Sequence, residues 1–557
     1  MRLSRGLWLI LAALLTSAAS PADSRLSYDE TVDRAVEALR GGQHEQAAEL
    51  FESLLDRTPS SPDILYALSR SYESLGELDR AIEMGQRSLE LGFVRRPRMT
   101  YRLARLHAKS GHKDQTIEWL ERALAARYED RPSIADDDTF AKLRDDPRFR
   151  HLAGMLPEGN ITRSEGWAFD LDYLIEEAQR MHAGPERPAF SEEFEKLAGF
   201  IRSRLATLSD DQVLTHMMRL VALLGDGHSA IYRPDPETSL DFNTATLPYK
   251  FYLFPEGLYI VDGADEWDAH AGHRVVKLGS LDAATVLERM SEYRGVDNPM
   301  TWKWMGPQFY VGRLLMLRAI GATTTDDRIT VTLEAPDGRQ FQEEVPGGPY
   351  SFPRKLRPYR AIEPPLYLSR VDTNFWMQQF SESSALYFQF NRVRDTDDET
   401  IEAFAGRLHT ALQAKDVNTL IVDVRHNNGG NNSLVTPLVR TIVAFDVADP
   451  EHRIVVLTGR NTFSACQNFI NRLERWTDAE FAGEPSSSSP NFVGEETNLL
   501  LPFSRVRGSI STLYWQDSDP GDERAWIGMD FPVELSTKDY FAGRDPVLQA
   551  VLPAAKP

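Results

Sequence analysis

The sequence predicts a multidomain chain: an α-helical array of repeated hairpins, then an α/β region interrupted by a small α+β module. Three observations predict it. The chain has 557 residues, too many for one fold at roughly 100–200 residues per domain. Glycines recur at Gly42, Gly76 and Gly111, spacings of 34 and 35 residues, which suit stacked helix–turn–helix units. In the C-terminal half, apolar β-branched runs alternate with amphipathic stretches, the pattern of parallel βαβ units.

Composition narrows the function. Hydrophobic residues make up 42% and charged residues 26%, the balance of a folded soluble protein. Acidic residues outnumber basic ones 83 to 62, for a net charge of −21, so a nucleic acid partner is disfavoured. Cys466 is the one cysteine, which excludes a disulfide framework and a multi-thiolate metal site. No P-loop, dinucleotide fingerprint or ligand cluster appears, so no metal or cofactor is implied. Arg2 and Arg5 precede an apolar run at 6–15, with Ser17 and Ala19 at the −3 and −1 positions of a cleavage site. Residues 1–19 therefore read as a signal peptide, and the protein as exported, periplasmic or secreted. The other reading is an uncleaved N-terminal anchor, but the run is shorter than the about 20 residues of a span.

Residues 28–126 carry the repeat. The glycine offsets also relate Ala47, Ala81 and Thr116; Ala48, Ile82 and Ile117; and Leu55, Leu89 and Leu124. Glycine in the turn and small residues early in the second helix resemble tetratricopeptide repeats, whose units stack because one hairpin cannot bury its own apolar stripe. Such an array either captures a protein or peptide partner or braces the rest of the chain. Residues 127–165, rich in Asp, Pro and Arg, read as a linker with one short helix. Helices are expected at 169–181, 192–207 and 210–224, within a helical segment at 166–240 that runs into Gly225-Asp226-Gly227-His228. Residues 241–350 then show short strand patterns at 251–254, 258–261, 274–278 and 329–334, with one helix at 283–293. That suits a PDZ-like module, which binds peptides by strand addition.

In the last segment, 365–555, strands are expected at 386–390, 420–424 and 453–457, and helices at 399–412 and 434–443. Two turns stand out. The first runs Asp423-Val424-Arg425-His426-Asn427-Asn428-Gly429-Gly430, where paired glycines let backbone amides turn outward as an oxyanion hole requires. The same pair also suits a plain tight turn. The second runs from Thr458 to Cys466 and leads from a strand into a helix patterned on Ala465, Phe469, Leu473 and Trp476. Ser464 stands at that helix start, either as an exposed nucleophile on a strand–turn–helix corner or as an ordinary N-cap. Cys466 reads as a small buried hydrophobe.

Together the two turns resemble the C-terminal processing (tail-specific) peptidases and the tricorn protease core. The likeness covers roughly 165–555 and includes Leu-Gly-Asp-Gly-His-Ser at 224–229 and Gly-Glu-Pro-Ser at 483–486. It implies a crotonase-like (ClpP/crotonase) α/β core, Ser464 as nucleophile, and an oxyanion hole from Gly429, Gly430 and Ala465. Serine–lysine members of the family carry a lysine about 25 residues after the serine, but no lysine occurs between Lys415 and Lys538. The tricorn-like branch uses a histidine instead, and His228 holds that place, with His426 and His452 as alternatives. Gly227 departs from the serine that precedes the tricorn histidine, so Ser229, Asp226 and Glu484 stand as candidates to orient His228. The resemblance thus implies a serine endopeptidase acting on proteins or peptides. A catalytically inactive scaffold binding peptides or apolar ligands on the same fold is the rival reading.

Overall fold

The computed structural model describes residues 26–234, 238–360, 362–380, 383–414 and 417–552; the expected signal peptide lies outside them. The chain divides into two units, the first ending at Ala153 and the second beginning at Gly154.

In the first unit, three hairpins pair Tyr28–Arg40 with His44–Arg57, Pro62–Leu75 with Leu78–Glu90, and Arg96–Lys109 with Lys113–Ala125. The repeating glycines are needed for backbone conformation alone. Gly42, Gly76 and Gly111 have φ of 75°, 79° and 79°, with open space where a side chain would project, so it is the left-handed turn that selects glycine. The repeating small residues answer to packing instead: Ala47, Ala81 and Thr116 are fully buried where helices approach closely. The stretch expected as a linker is more structured than its composition suggests. It holds helices Arg131–Asp136 and Pro147–Leu152 and a 3-10 turn at Asp138–Leu143. Ile134, Phe140 and Phe149 bury these against the unit's core.

The second unit has three sheets. The helices Arg163–Met181, Glu192–Arg204 and Asp210–Ala222 match the expected trio within a few residues, apart from an earlier start to the first. They pack with an antiparallel sheet whose strands run in the order Tyr249–Phe254, Gly257–Gly263, Arg274–Leu278, Arg328–Glu334, Gln340–Pro346. Three helices rather than one interrupt that sheet: Ala283–Ser291, Pro299–Phe309 and Leu314–Ala319. Met and Trp with an internal Pro307 blur the periodicity of the second, which is why sequence pattern misses it.

A six-stranded sheet forms the C-terminal layer, in the order Phe531–Pro532, Glu480–Gly483, Arg453–Thr458, Thr419–Asp423, Ala385–Phe390, Phe375–Gln379. All neighbours are parallel except the last pair. Every residue of Ala385–Phe390 and Thr419–Asp423 is buried, as expected of strands covered on both faces. The third sheet joins distant parts of the chain. Ala230–Pro234 pairs with Val506–Gln516, which pairs with Asn491–Leu500. The first strand of this sheet begins two residues after His228, so strand pairing carries the histidine loop to the C-terminal layer. Among the described residues no helix is long and apolar enough to cross a membrane.

Candidate active site

Both turns leave adjacent parallel strands and are laced together. Phe463 N–H donates to the Asn427 carbonyl (3.1 Å), and Thr462 Oγ1 to the Val424 carbonyl (2.9 Å). The glycine pair is required twice over. Gly429 has φ of 99°, and a Cβ there would lie 2.8 Å from Ser464 Cβ and 3.0 Å from the Ala465 nitrogen. Gly430 has φ of 141°, and its Cβ would fall on the Val393 carbonyl. The Gly429 amide is taken by Asn427 Oδ1 (3.0 Å). Among the described residues, the amides of Gly430 and Ala465 donate to no acceptor.

Ser464 has φ of 58° and ψ of −127°. A non-glycine residue held there costs on the order of 1–3 kcal/mol and persists only where its surroundings impose it. Its hydroxyl caps nothing, although helix Ala465–Trp476 starts at the next residue. That argues against an ordinary N-cap, whose side chain accepts from the first turn and whose φ is negative. The Ser464 amide donates to Ser488 Oγ (3.1 Å). Ser488 lies 24 residues on, about where the serine–lysine enzymes carry their lysine, and it anchors the corner's backbone. Cys466 is fully buried, which pushes its thiol pKa well up.

His228 is 7% exposed. Its ring stacks on Phe463, the residue before Ser464, with centroids 4.3 Å apart, and on Phe492 at 5.6 Å. The structure therefore brings the histidine beside the serine corner without a hydrogen bond between them, and among the described residues the one group that approaches a ring nitrogen is the Val493 backbone. Burial, with help from Arg294, pushes its pKa down to about 4 against the pull of Asp226. The imidazole is accordingly neutral at pH 7.

The three residues expected to orient His228 do not bond its ring. Asp226 Oδ1 accepts the amides of His228 (2.8 Å) and Ser229 (2.6 Å) and the Ser511 hydroxyl (2.6 Å). Its other oxygen receives His182 Nε2 at 3.0 Å. Burial opposes the ionisation of Asp226, but the His182 imidazole and the two serines outweigh it and hold the carboxyl well below its usual range. Ser229 Oγ accepts the Ser511 amide (3.0 Å). Glu484 pairs with Arg460 (2.5 Å) and Lys303 (3.1 Å), away from the histidine. Of the alternative bases, His452 donates Nδ1 to the Phe445 carbonyl (2.6 Å), and His426 stacks on Tyr367 in a separate cavity.

Sequence reasoning missed what grips the histidine loop from the inserted region. Arg294 donates to the carbonyls of Gly227 and Ser229, and Asp297 Oδ1 accepts the Gly227 amide (2.7 Å). A Cβ on Gly227 would lie 2.9 Å from the Phe463 ring and 3.2 Å from Asp297 Oδ1, so the absence of a serine here has a packing reason. Burial, reinforced by Asp226, raises the Asp297 pKa to about 7 against the opposing hydrogen bonds of the Gly227 amide and the Ser488 hydroxyl. His182, Arg294 and Asp297 sit in unremarkable local sequence and become visible only through contacts 44 to 70 residues away. Among the described residues no three His, Cys, Asp or Glu side chains converge as metal ligands would.

A tetratricopeptide-repeat family model matches residues 32–95. No curated protein sequence matches the chain. Among solved structures, mature CPAF complexed with lactacystin is similar at 12% identity and a TM-score of 0.49, covering 68% of this chain and 96% of that one. The photosystem II D1 C-terminal processing protease is similar at 14% identity and a TM-score of 0.34, covering 67% of this chain and 94% of that one. The tricorn protease is similar at 14% identity and a TM-score of 0.32, covering 70% of this chain and 36% of that one.

Proposed function

We propose that the chain is an exported serine endopeptidase of the tail-specific or tricorn-like type, with a crotonase-like catalytic layer, a PDZ-like insertion at 241–350 and an N-terminal array that captures a protein partner. One observation carries the reading: Ser464 is held in a strained left-handed corner at a helix start with its hydroxyl spent on no cap. A structural serine gains nothing from that strain, whereas a nucleophile gains exposure and the favourable field of the helix N-terminus.

In this mechanism Ser464 Oγ attacks the scissile carbonyl carbon while its proton passes to the neutral His228 imidazole. Negative charge gathers on the former carbonyl oxygen, and the free amides of Ala465 and Gly430 are placed to receive it. The resulting imidazolium returns the proton to the leaving amine, and the C–N bond breaks to give the acyl-serine. Water then adds to the acyl carbon, losing its proton to His228; the C–Oγ bond breaks, Ser464 Oγ takes that proton back from the imidazolium, and the acid product leaves. The serine–histidine bond forms as substrate binds, a tightening common at such sites. Asp226, two residues before His228 in the same loop, stabilises the transient positive charge.

Digestion of a peptide library with mass-spectrometric readout, run beside Ser464→Ala, tests the proposal. Discrete cleavage products from wild type that vanish in the variant are expected. Intact peptides in both would favour the ligand-binding scaffold.

A further inference from the structure

A cavity lies behind the serine corner, between the inserted sheet and the C-terminal layer. Its volume is about 90 Å³, and it is bounded by Tyr252, Trp304, Tyr367, His426 and Asn461 together with Lys250. It shares both turns with the candidate active site. His426 comes from the glycine turn, Asn461 stands three residues before Ser464, and Trp304 packs on Phe463 with centroids 5.6 Å apart.

Its cations are not all paired at contact distance. Arg425 is matched by Asp423 (2.5 Å) and Asp545 (2.8 Å), and Arg460 and Lys303 share Glu484. Lys250 has no such contact, although Asp262, opposite it across the strand pair, acts on it from farther off. It is 7% exposed, its ammonium donates to the Lys355 carbonyl (2.5 Å), and no carboxylate lies within ion-pair distance among the described residues. Lys355 behind it likewise donates only to carbonyls, those of Val371 (2.8 Å) and Asn391 (3.2 Å). Burial pushes both lysines down to about 8, which still leaves them mostly charged at neutral pH. Around them three lining residues hold buried polar atoms with no partner: Tyr367 Oη, His426 Nε2 and Asn461 Oδ1. Such atoms cost roughly 1–3 kcal/mol each when left unmade. Tyr367 and His426 are 4% and 6% exposed. Neither titrates near neutrality: burial drives Tyr367 far above its usual value and His426 down to about 3.

We propose that this cavity is a carboxylate-binding subsite beside the serine. The Tyr367 hydroxyl and the Lys250 ammonium donate to the carboxylate, and the aromatic walls hold the carbon chain that bears it. The Asn461 carboxamide oxygen is left to accept an N–H, which a peptide supplies. The carboxylate is either an acidic side chain of a bound peptide or a free small acid; the first source rests on the peptidase reading, the second does not.

Calorimetric titration of full-length Ser464→Ala with glutarate and with its neutral diamide, glutaramide, tests the site without relying on catalysis. Saturable glutarate binding about tenfold or more tighter than glutaramide is expected, weakened about tenfold by Tyr367→Phe or Lys250→Met. Tyr367→Phe is the sharper variant, because it removes a hydroxyl that holds nothing in the fold. A purely structural Tyr367 predicts unchanged binding. In a second arm, wild type digests a library of C-terminally amidated peptides. Enrichment of Asp or Glu at one position, lost in Tyr367→Phe, supports the proposal and assigns the carboxylate to the substrate. Glutarate binding without that enrichment supports it and assigns a free acid. Failure to cleave any peptide counts against the peptidase and leaves the glutarate result to decide the site. Glutarate bound no better than glutaramide, with no acidic enrichment or an enrichment indifferent to both substitutions, overturns the proposal.

Discussion

His228 and His426 are buried to nearly the same degree, each stacks on an aromatic ring, and each keeps a ring nitrogen without a partner. Their electrostatic surroundings differ in sign. Around His228 the burial penalty is reinforced by one cation, Arg294, and opposed by Asp226. Around His426 the penalty is compounded by Arg425, Lys355 and Lys250, and only Asp545 opposes it. A proton arriving at the first site finds one carboxylate against one cation; at the second it meets one carboxylate against three cations. The contrast teaches that burial alone does not assign a histidine its role. The neighbouring charges make His228 fit to take a proton for an instant and His426 fit to stay neutral beside an anion.

The largest effect should come from the shared corner. Ser464→Ala is expected to lower kcat by on the order of 10⁴-fold or more with the melting temperature unchanged or raised, since in the proposed mechanism the strained serine and its base act as a unit. His228→Gln should cost nearly as much, and the double variant little more than either. A conservative change at His426 should instead shift the ratio of kcat/KM for acidic over neutral peptides, by about tenfold. Equal losses on all peptides from both histidine variants would erase the contrast.

The pH profile sharpens it further. His228 has its pKa lowered to about 4, so kcat/KM should stay level from pH 8 to about 5 and halve near 4, not near the about 6.5 of an open imidazole. Folding stability carries the same sign. A depressed group lends stability above its unfolded value that is lost as pH falls from about 6.5 toward 4.

Asp297 runs the other way, and here the expected effect is smallest. Its raised pKa, about 7, means stability present below the ordinary carboxylate value that is lost as pH rises through 7. Asp297→Asn, which keeps an acceptor for the Gly227 amide, should therefore melt higher than wild type at pH 8, with the gap closing by pH 4. Thermal melts across that range check it.

How much of this was legible in sequence follows from how local each signal is. Gly42, Gly76 and Gly111 are read from spacing because each acts on its own turn. The two turns around Gly429 and Ser464 are likewise local, and their strand and helix flanks fall within a few residues of where the pattern places them. The hairpin of Asn491–Leu500 and Val506–Gln516 is not legible, because Glu495, Glu496, Arg505 and Arg507 break the apolar alternation that marks a strand. Nor are Arg294, Asp297 and His182, each of which acts on a loop far along the chain. Sequence pattern points to one residue that orients the His228 ring; in the structure the loop is held by its backbone and the ring by the Phe463 and Phe492 faces.

The central claim is that the Ser464 hydroxyl is activated. Labelling with a serine-reactive fluorophosphonate measures that directly, whatever the natural substrate. The account predicts one covalent adduct, mapped to Ser464, absent from Ser464→Ala and strongly reduced in His228→Gln. Wild-type protein that remains unlabelled, or that labels equally well after Ser464→Ala, would contradict it.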